Sequence, residues 1–151
     1  MRKLSYANAI NEAMFVAMQK SKNVITFGLG VPDPKGVFGT TIGLQEKFGQ
    51  DRVFDMPTSE NGMTGVGIGA SLNGLRPVMV HHRVDFFLLA LDQLINNAAK
   101  WRFMFGGQSS VPITIRLIGP WLGSRSNSFS KSSCNIFSYP RFKSSYAYFC
   151  L

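Results

Sequence analysis

The chain has 151 residues, 45% hydrophobic and 13% aromatic, which sets it apart from disordered chains and gives one domain with enough length for a real core. Its formal net charge of +8 is unevenly spread: residues 1–118 hold all eight acids against twelve Lys and Arg, whereas residues 119–151 hold four basic residues and no acid. No helix face carries a basic stripe and no aromatic-plus-Arg pattern recurs, which argues against a nucleic-acid partner.

Ser5 is a suitable cap for a first helix, in which Ala7, Ile10, Ala13, Met14, Ala17 and Met18 recur at helical spacing. Residues 24–27 (Val-Ile-Thr-Phe) are expected as a short buried strand. Residues 28–39 contain four glycines with Pro32 and Pro34, a loop at that strand's carboxyl end. Residues 42–48 predict a short helix stopped by Gly49, and Val53 to Asp55 a second strand. A crossover helix is expected over 61–73, followed by a third strand at residues 77–80. The strongest helical pattern runs over 85–103, with Phe87, Leu88, Leu91, Leu94, Ile95 and Ala98 as its apolar stripe and Asp85 as its N-cap. Residues 112–118 predict a fourth strand.

Strands alternating with helices, and lacking clean polar alternation, predict an α/β fold with a parallel sheet covered by helices on both faces. Ligands of such sheets bind outside the carboxyl ends of the strands. The loops after Phe27, Asp55, Val80 and Ile118 should therefore form one rim carrying Glu60, His81, His82 and Phe86. Gly65-Val-Gly-Ile-Gly-Ala70 matches a dinucleotide fingerprint, with Asp85 twenty residues beyond its first glycine. Its glycines fall inside a helix rather than in the turn after a strand, so they read as close-packing residues and a nicotinamide-binding domain is not expected. His81 and His82 have no third ligand at metal spacing, and Cys134 and Cys150 form no disulfide framework. No apolar signal core opens the chain, and the longest apolar run, Phe86 to Leu91, is too short to span a bilayer. The expectation is a soluble, cytoplasmic protein. On the residues alone, core packing is favoured for both Phe86 and Phe87, and Glu60 reads most simply as a first-turn acid beside an N-cap.

Several separated blocks go further by resemblance. Asp55-Met-Pro-Thr-Ser-Glu-Asn-Gly-Met-Thr-Gly65, Gly69-Ala-Ser-Leu-Asn-Gly-Leu-Arg-Pro-Val78, Asp85-Phe86, Leu91-Asp-Gln-Leu-Ile-Asn-Asn-Ala-Ala-Lys100, Gly106-Gly and Val111-Pro-Ile113 stand in the order and spacing of a known family. Over residues 4–118 the chain resembles the beta subunit of thiamine-diphosphate-dependent 2-oxoacid dehydrogenases of the pyruvate, branched-chain and acetoin type, and corresponds to their transketolase-like pyrimidine-binding domain. The resemblance implies decarboxylation of a 2-oxoacid and acyl transfer to a lipoyl carrier. It implies that Glu60 hydrogen-bonds the pyrimidine ring nitrogen and favours the imino form of the ring's amino group, which removes the thiazolium proton. Phe86 would stack on the pyrimidine ring. Gly62, Gly65 and Gly69 would allow close packing at a subunit interface.

The implied partners are an alpha subunit, a second beta subunit in a heterotetramer, and the lipoyl acyltransferase component. The thiamine diphosphate site would be shared with the alpha subunit, which carries Mg²⁺; the Gly-Asp-Gly diphosphate motif does not occur in this chain. Two departures stand out. Gly28-Leu29-Gly30 replaces the family's Gly-Glu-Glu, and the family's His-Ser-Gln block after the fourth strand is absent. From Gly119 the text becomes rich in Ser, aromatics and bases without a period, so residues 119–151 are expected to be an anomalous tail, out of frame or disordered. The rival expectation is a truncated, catalytically inactive subunit that only binds partners.

Overall fold

The computed structural model describes residues 3–118, so the expected tail of 119–151, with Cys134 and Cys150, lies outside the described residues. Helix α1 (Tyr6–Lys20) starts as its sequence predicts: the Ser5 hydroxyl accepts a hydrogen bond from Asn8 N at 3.2 Å, and Lys20 complements the last turn. Strand β1 (Val24–Gly28) is buried at every residue, as a central parallel strand must be. A 3₁₀ turn (Val37–Gly39) and the short helix α2 (Leu44–Phe48) lead to β2 (Val53–Asp55). Helix α3 (Glu60–Leu72) crosses to β3 (Arg76–Arg83). Irregular helical turns then connect to β4 (Thr114–Ile118).

All pairings are parallel, in the order β2-β1-β3-β4. Alternate residues of the central strands separate two layers. On one face Val24 and Val80 join Met14 and Met18 of α1, Leu44 of α2, and Val31, Val37 and Val53. On the other, Ile25, Phe27 and Met79 pack with Met63 of α3, while Phe87, Ala90 and Leu94 close over Ile113, Ile115 and Leu117. The expected α/β sheet with helices on both faces is thus present.

Arg52 ties the first layer together. Its guanidinium donates to Met18 O, Ser21 O and Val24 O, at 2.8–2.9 Å through Nη2, and stands 5.2 Å from the centroid of the Phe48 ring. The bonds to Met18 O and Ser21 O satisfy carbonyls at the end of α1, and the bond to Val24 O ties that end to the start of β1.

The second layer departs from expectation. The predicted helix over 85–103 is broken into α4 (Val84–Phe87), a 3₁₀ turn (Leu88–Ala90), a π-helical stretch (Gln93–Ala98) and α5 (Ala99–Met104). The apolar stripe survives, since Phe87 and Leu94 are buried, with Ala90 between them. Side-chain bonds from Asn96 to Asp92 and from Asn97 to Gln93 bridge the widened turn. Asp85 is not the N-cap. Arg83 occupies that position, and Asp85 lies in the first turn, ion-paired to the Arg83 side chain. Strand β3 runs three residues past Val80, through an irregular register, and β4 begins at Thr114 rather than at residue 112.

Candidate functional site

The carboxyl ends of the strands do form a rim, and its geometry starts with Asp55 at the end of β2. Its carboxylate accepts from Gly30 N at 2.9 Å and Val31 N at 2.8 Å, while Met56 N donates to Gly28 O at 2.9 Å. These three bonds join the loops after β1 and β2 beyond the last ladder pair, Gly28 with Asp55. The sequence offered no signal for this clamp, because an acid at a strand end is commonplace.

From that clamped loop the chain enters α3. Ser59 is the N-cap, its hydroxyl accepting from Gly62 N at 3.3 Å, and Glu60 is the first helical residue. The bland reading of Glu60 as a first-turn acid is therefore correct as local structure. Yet a first-turn acid is normally solvated, and Glu60 is only 8% exposed. Among the described residues its carboxylate makes no hydrogen bond; the Thr64 hydroxyl donates to its backbone oxygen at 2.8 Å. Its carboxylate oxygens are not sealed off, so the side chain is largely covered while its polar end stays open to a partner.

The glycines of α3 serve different ends. Gly67 lies against Met79 and Phe27, where any side chain would collide with the sheet. Gly62 has the Ser59 hydroxyl 2.9 Å from where a Cβ would stand, Gly65 has only Gln93 nearby at 3.6 Å, and Gly69 faces open space. All lie inside the helix, so the dinucleotide fingerprint is excluded by position.

At the end of β3 the two histidines separate. His81, expected on the rim, is 1% exposed and turned into the second layer, its ring 4.8 Å edge-on from Phe87. Neither ring nitrogen has a hydrogen-bond partner, and burial, followed by the charge of His82, lowers its pKa to about 4. The longer β3 explains the correction, since residue 81 still belongs to the sheet. His82 is exposed and stays on the rim.

Phe86 and Phe87 separate in the same way. Core packing for both does not hold: Phe87 is buried, while Phe86 is 51% exposed. The guanidinium of Arg83 covers one side of the Phe86 ring, 5.7 Å from its centroid. Leu29, standing where an acid was expected by resemblance, packs into the apolar cluster of Ile25, Phe27, Met63 and Met79. Among the described residues no group of three or more His, Cys, Asp or Glu has metal-binding proximity, and no helix is long and apolar enough to cross a membrane.

Residues 2–120 match the family described as transketolase, pyrimidine binding domain. The chain is 42% identical over 127 residues to the beta subunit of acetoin:2,6-dichlorophenolindophenol oxidoreductase of Bacillus subtilis, covering 76% of this chain and 37% of that protein. It is 40% identical over 115 residues to the mitochondrial pyruvate dehydrogenase E1 component subunit beta of Pisum sativum, covering 76% and 32%. With the 2-oxoisovalerate dehydrogenase subunit beta of Bacillus subtilis it shares 42% over 113 residues, covering 75% and 35%. The chain therefore spans about a third of the length of these curated relatives.

Proposed function

The chain belongs to the transketolase pyrimidine-binding-domain family, and on that premise we propose that it forms the pyrimidine half of a thiamine diphosphate site in a 2-oxoacid dehydrogenase beta subunit. One observation carries this reading: Glu60, at the start of α3, is largely covered, and no described residue hydrogen-bonds its carboxylate. A ring nitrogen of a bound pyrimidine is a partner of the right chemistry. Glu60 shares a proton with that nitrogen, and the low dielectric around it strengthens the bond. Phe86 offers a half-exposed aromatic face for the ring, with Arg83 on one side of it. Asp55 holds the loop that launches Glu60.

Held by Glu60 and Phe86, thiamine diphosphate would supply a nucleophilic carbon for the chemistry of a 2-oxoacid. This chain's part is to bind the pyrimidine and to place the Glu60 carboxyl group at the ring nitrogen. The diphosphate and its Mg²⁺ belong to an alpha subunit in this reading. Gly62, Gly65 and Gly69 face a neighbouring subunit of a heterotetramer, and the acyl unit passes to a lipoyl acyltransferase component. The open space at Gly69 and the 52% exposure of Val66 support an interface on that side of α3.

Titration of thiamine diphosphate into the chain assembled with an alpha subunit tests the proposal. Saturable binding is expected, weakened about tenfold by Phe86→Ala through lost stacking. Assembly without any cofactor binding would leave the rival reading, a chain that binds partners without catalysis.

A further inference from the structure

Between the loop that leaves β1 and helix α2 lies a cavity of about 420 Å³, within the size range of small-molecule sites. Neither Glu60 nor Phe86 lines it, so the pyrimidine reading does not use it. Pro32, Pro34 and Ile42 give it an apolar lining, and the two proline rings fix the backbone on that stretch. Its charged lining is Asp33 and Glu46, with no lysine, arginine or histidine. That runs against a chain whose net charge is +8.

Among the described residues neither the Asp33 nor the Glu46 side chain makes a hydrogen bond or an ion pair. Both are exposed, so the fold does not depend on them, and the nearby bases Lys35 and Lys47 do not line the cavity. Gln45, also in the lining, adds a third acceptor. Its Nε2 donates to Val53 O at 2.7 Å, which fixes the amide and leaves Oε1 available. The lining therefore calls for a ligand that brings donors and positive charge. A metal ion is a poor match. Among the described residues no group of three or more His, Cys, Asp or Glu could hold one, and the cavity is far larger than a single ion. The apolar lining calls for an aliphatic part as well.

We propose that this cavity binds an organic cation, an ammonium or guanidinium group on an aliphatic stem, with Asp33, Glu46 and the Gln45 amide oxygen as acceptors and Pro32, Pro34 and Ile42 against the stem. A guanidinium suits the site best, because its planar fork can serve two carboxylates and an amide at once. The same chemistry comes from a free small molecule or from the arginine side chain of a neighbouring chain. The assignment is independent of the pyrimidine reading.

The test uses the full chain at low salt, with n-butylguanidinium as the probe and binding followed by amide NMR. Saturable shifts are expected at Gly43 and Gly49, which line the cavity, and not at Gly65 or Gly69 of α3. Glu46→Gln and Asp33→Asn should each weaken binding about threefold to fivefold, the range of an exposed charge pair, with the thermal midpoint unchanged. The neutral isostere n-butylurea should bind far more weakly. Tighter binding of acetyl-arginine-amide than of n-butylguanidinium assigns the site to a side chain from a neighbouring chain; equal or weaker binding assigns it to a free cation. No saturable shift at millimolar n-butylguanidinium overturns the proposal, and so does equal binding of n-butylurea or unchanged affinity in both variants.

Discussion

The two faces of the sheet are built on different terms. On the face of α1 and α2, α1 is unbroken, capped at Ser5 and pinned at its carboxyl end by Arg52, while Val16, Phe38 and Ile42 stay exposed. The face of α3 to α5 is dense against the sheet, with Phe27 and Met79 fully buried, yet loose outside it. Its second connection changes helical type four times, and it leaves Leu89 63%, Phe103 72% and Met104 61% exposed. One face spends its side chains on stability. The other holds Glu60 and Phe86 at its rim, and apolar side chains stay exposed on both faces.

Acid should break the comparison most strongly, and on the second face. His81 is neutral in the folded chain, with a pKa of about 4 against 6.5 for a free histidine. Above pH 6.5 neither state binds the proton and the full stability is present. As pH falls below 6.5 the unfolded chain binds it and the folded chain does not, so stability declines until about pH 4, by about 3 kcal/mol for this group. Urea unfolding at several pH values should show that slope in the native sequence and not in His81→Phe. A parallel decline in both would remove His81 as its source.

Arg52→Ala comes next and tests the first face. Removing a guanidinium that satisfies three backbone carbonyls should cost about 2–3 kcal/mol, since each bond to a charged group is worth more than a neutral one but the losses do not add. A midpoint unchanged in urea would mean that water replaces Arg52 without penalty. The smallest effect is expected from Leu89→Ser and Phe103→Ser, within about 0.5 kcal/mol for exposed positions. Light scattering should nonetheless show less self-association of the isolated chain. A destabilisation as large as that of Arg52→Ala would mean those side chains are core after all.

Much of this was legible in the sequence because it rests on local rules. Ser5 caps where it was expected to cap, and Val24 to Phe27 reads as a buried strand because no polar residue but Thr26 interrupts it. The glycines expected inside a helix do lie inside α3, away from the end of β2. What escaped depended on partners distant in sequence. The Asp55 clamp needs the Gly30 and Val31 amides, and the role of Arg52 needs the end of α1. His81 looked like the end of a strand because two histidines are polar, whereas the ladder with β4 carries β3 on to Arg83. The break in the helix after Val84 was hidden because its apolar residues keep near-helical spacing through the 3₁₀ and π turns. Of the two phenylalanines, periodicity placed Phe87 in the apolar stripe, and it is Phe87 that is buried while Phe86 is exposed.

The central claim is that Glu60 holds a proton against a pyrimidine nitrogen. The most direct measurement is the rate of hydrogen–deuterium exchange at the thiazolium carbon of thiamine diphosphate, at saturating cofactor, in the chain assembled with an alpha subunit. Glu60→Gln should slow that exchange about 10²–10⁴-fold, the usual worth of a positioned acid–base group. Exchange as fast in Glu60→Gln as in the native sequence, with the cofactor bound in both, would contradict the claim.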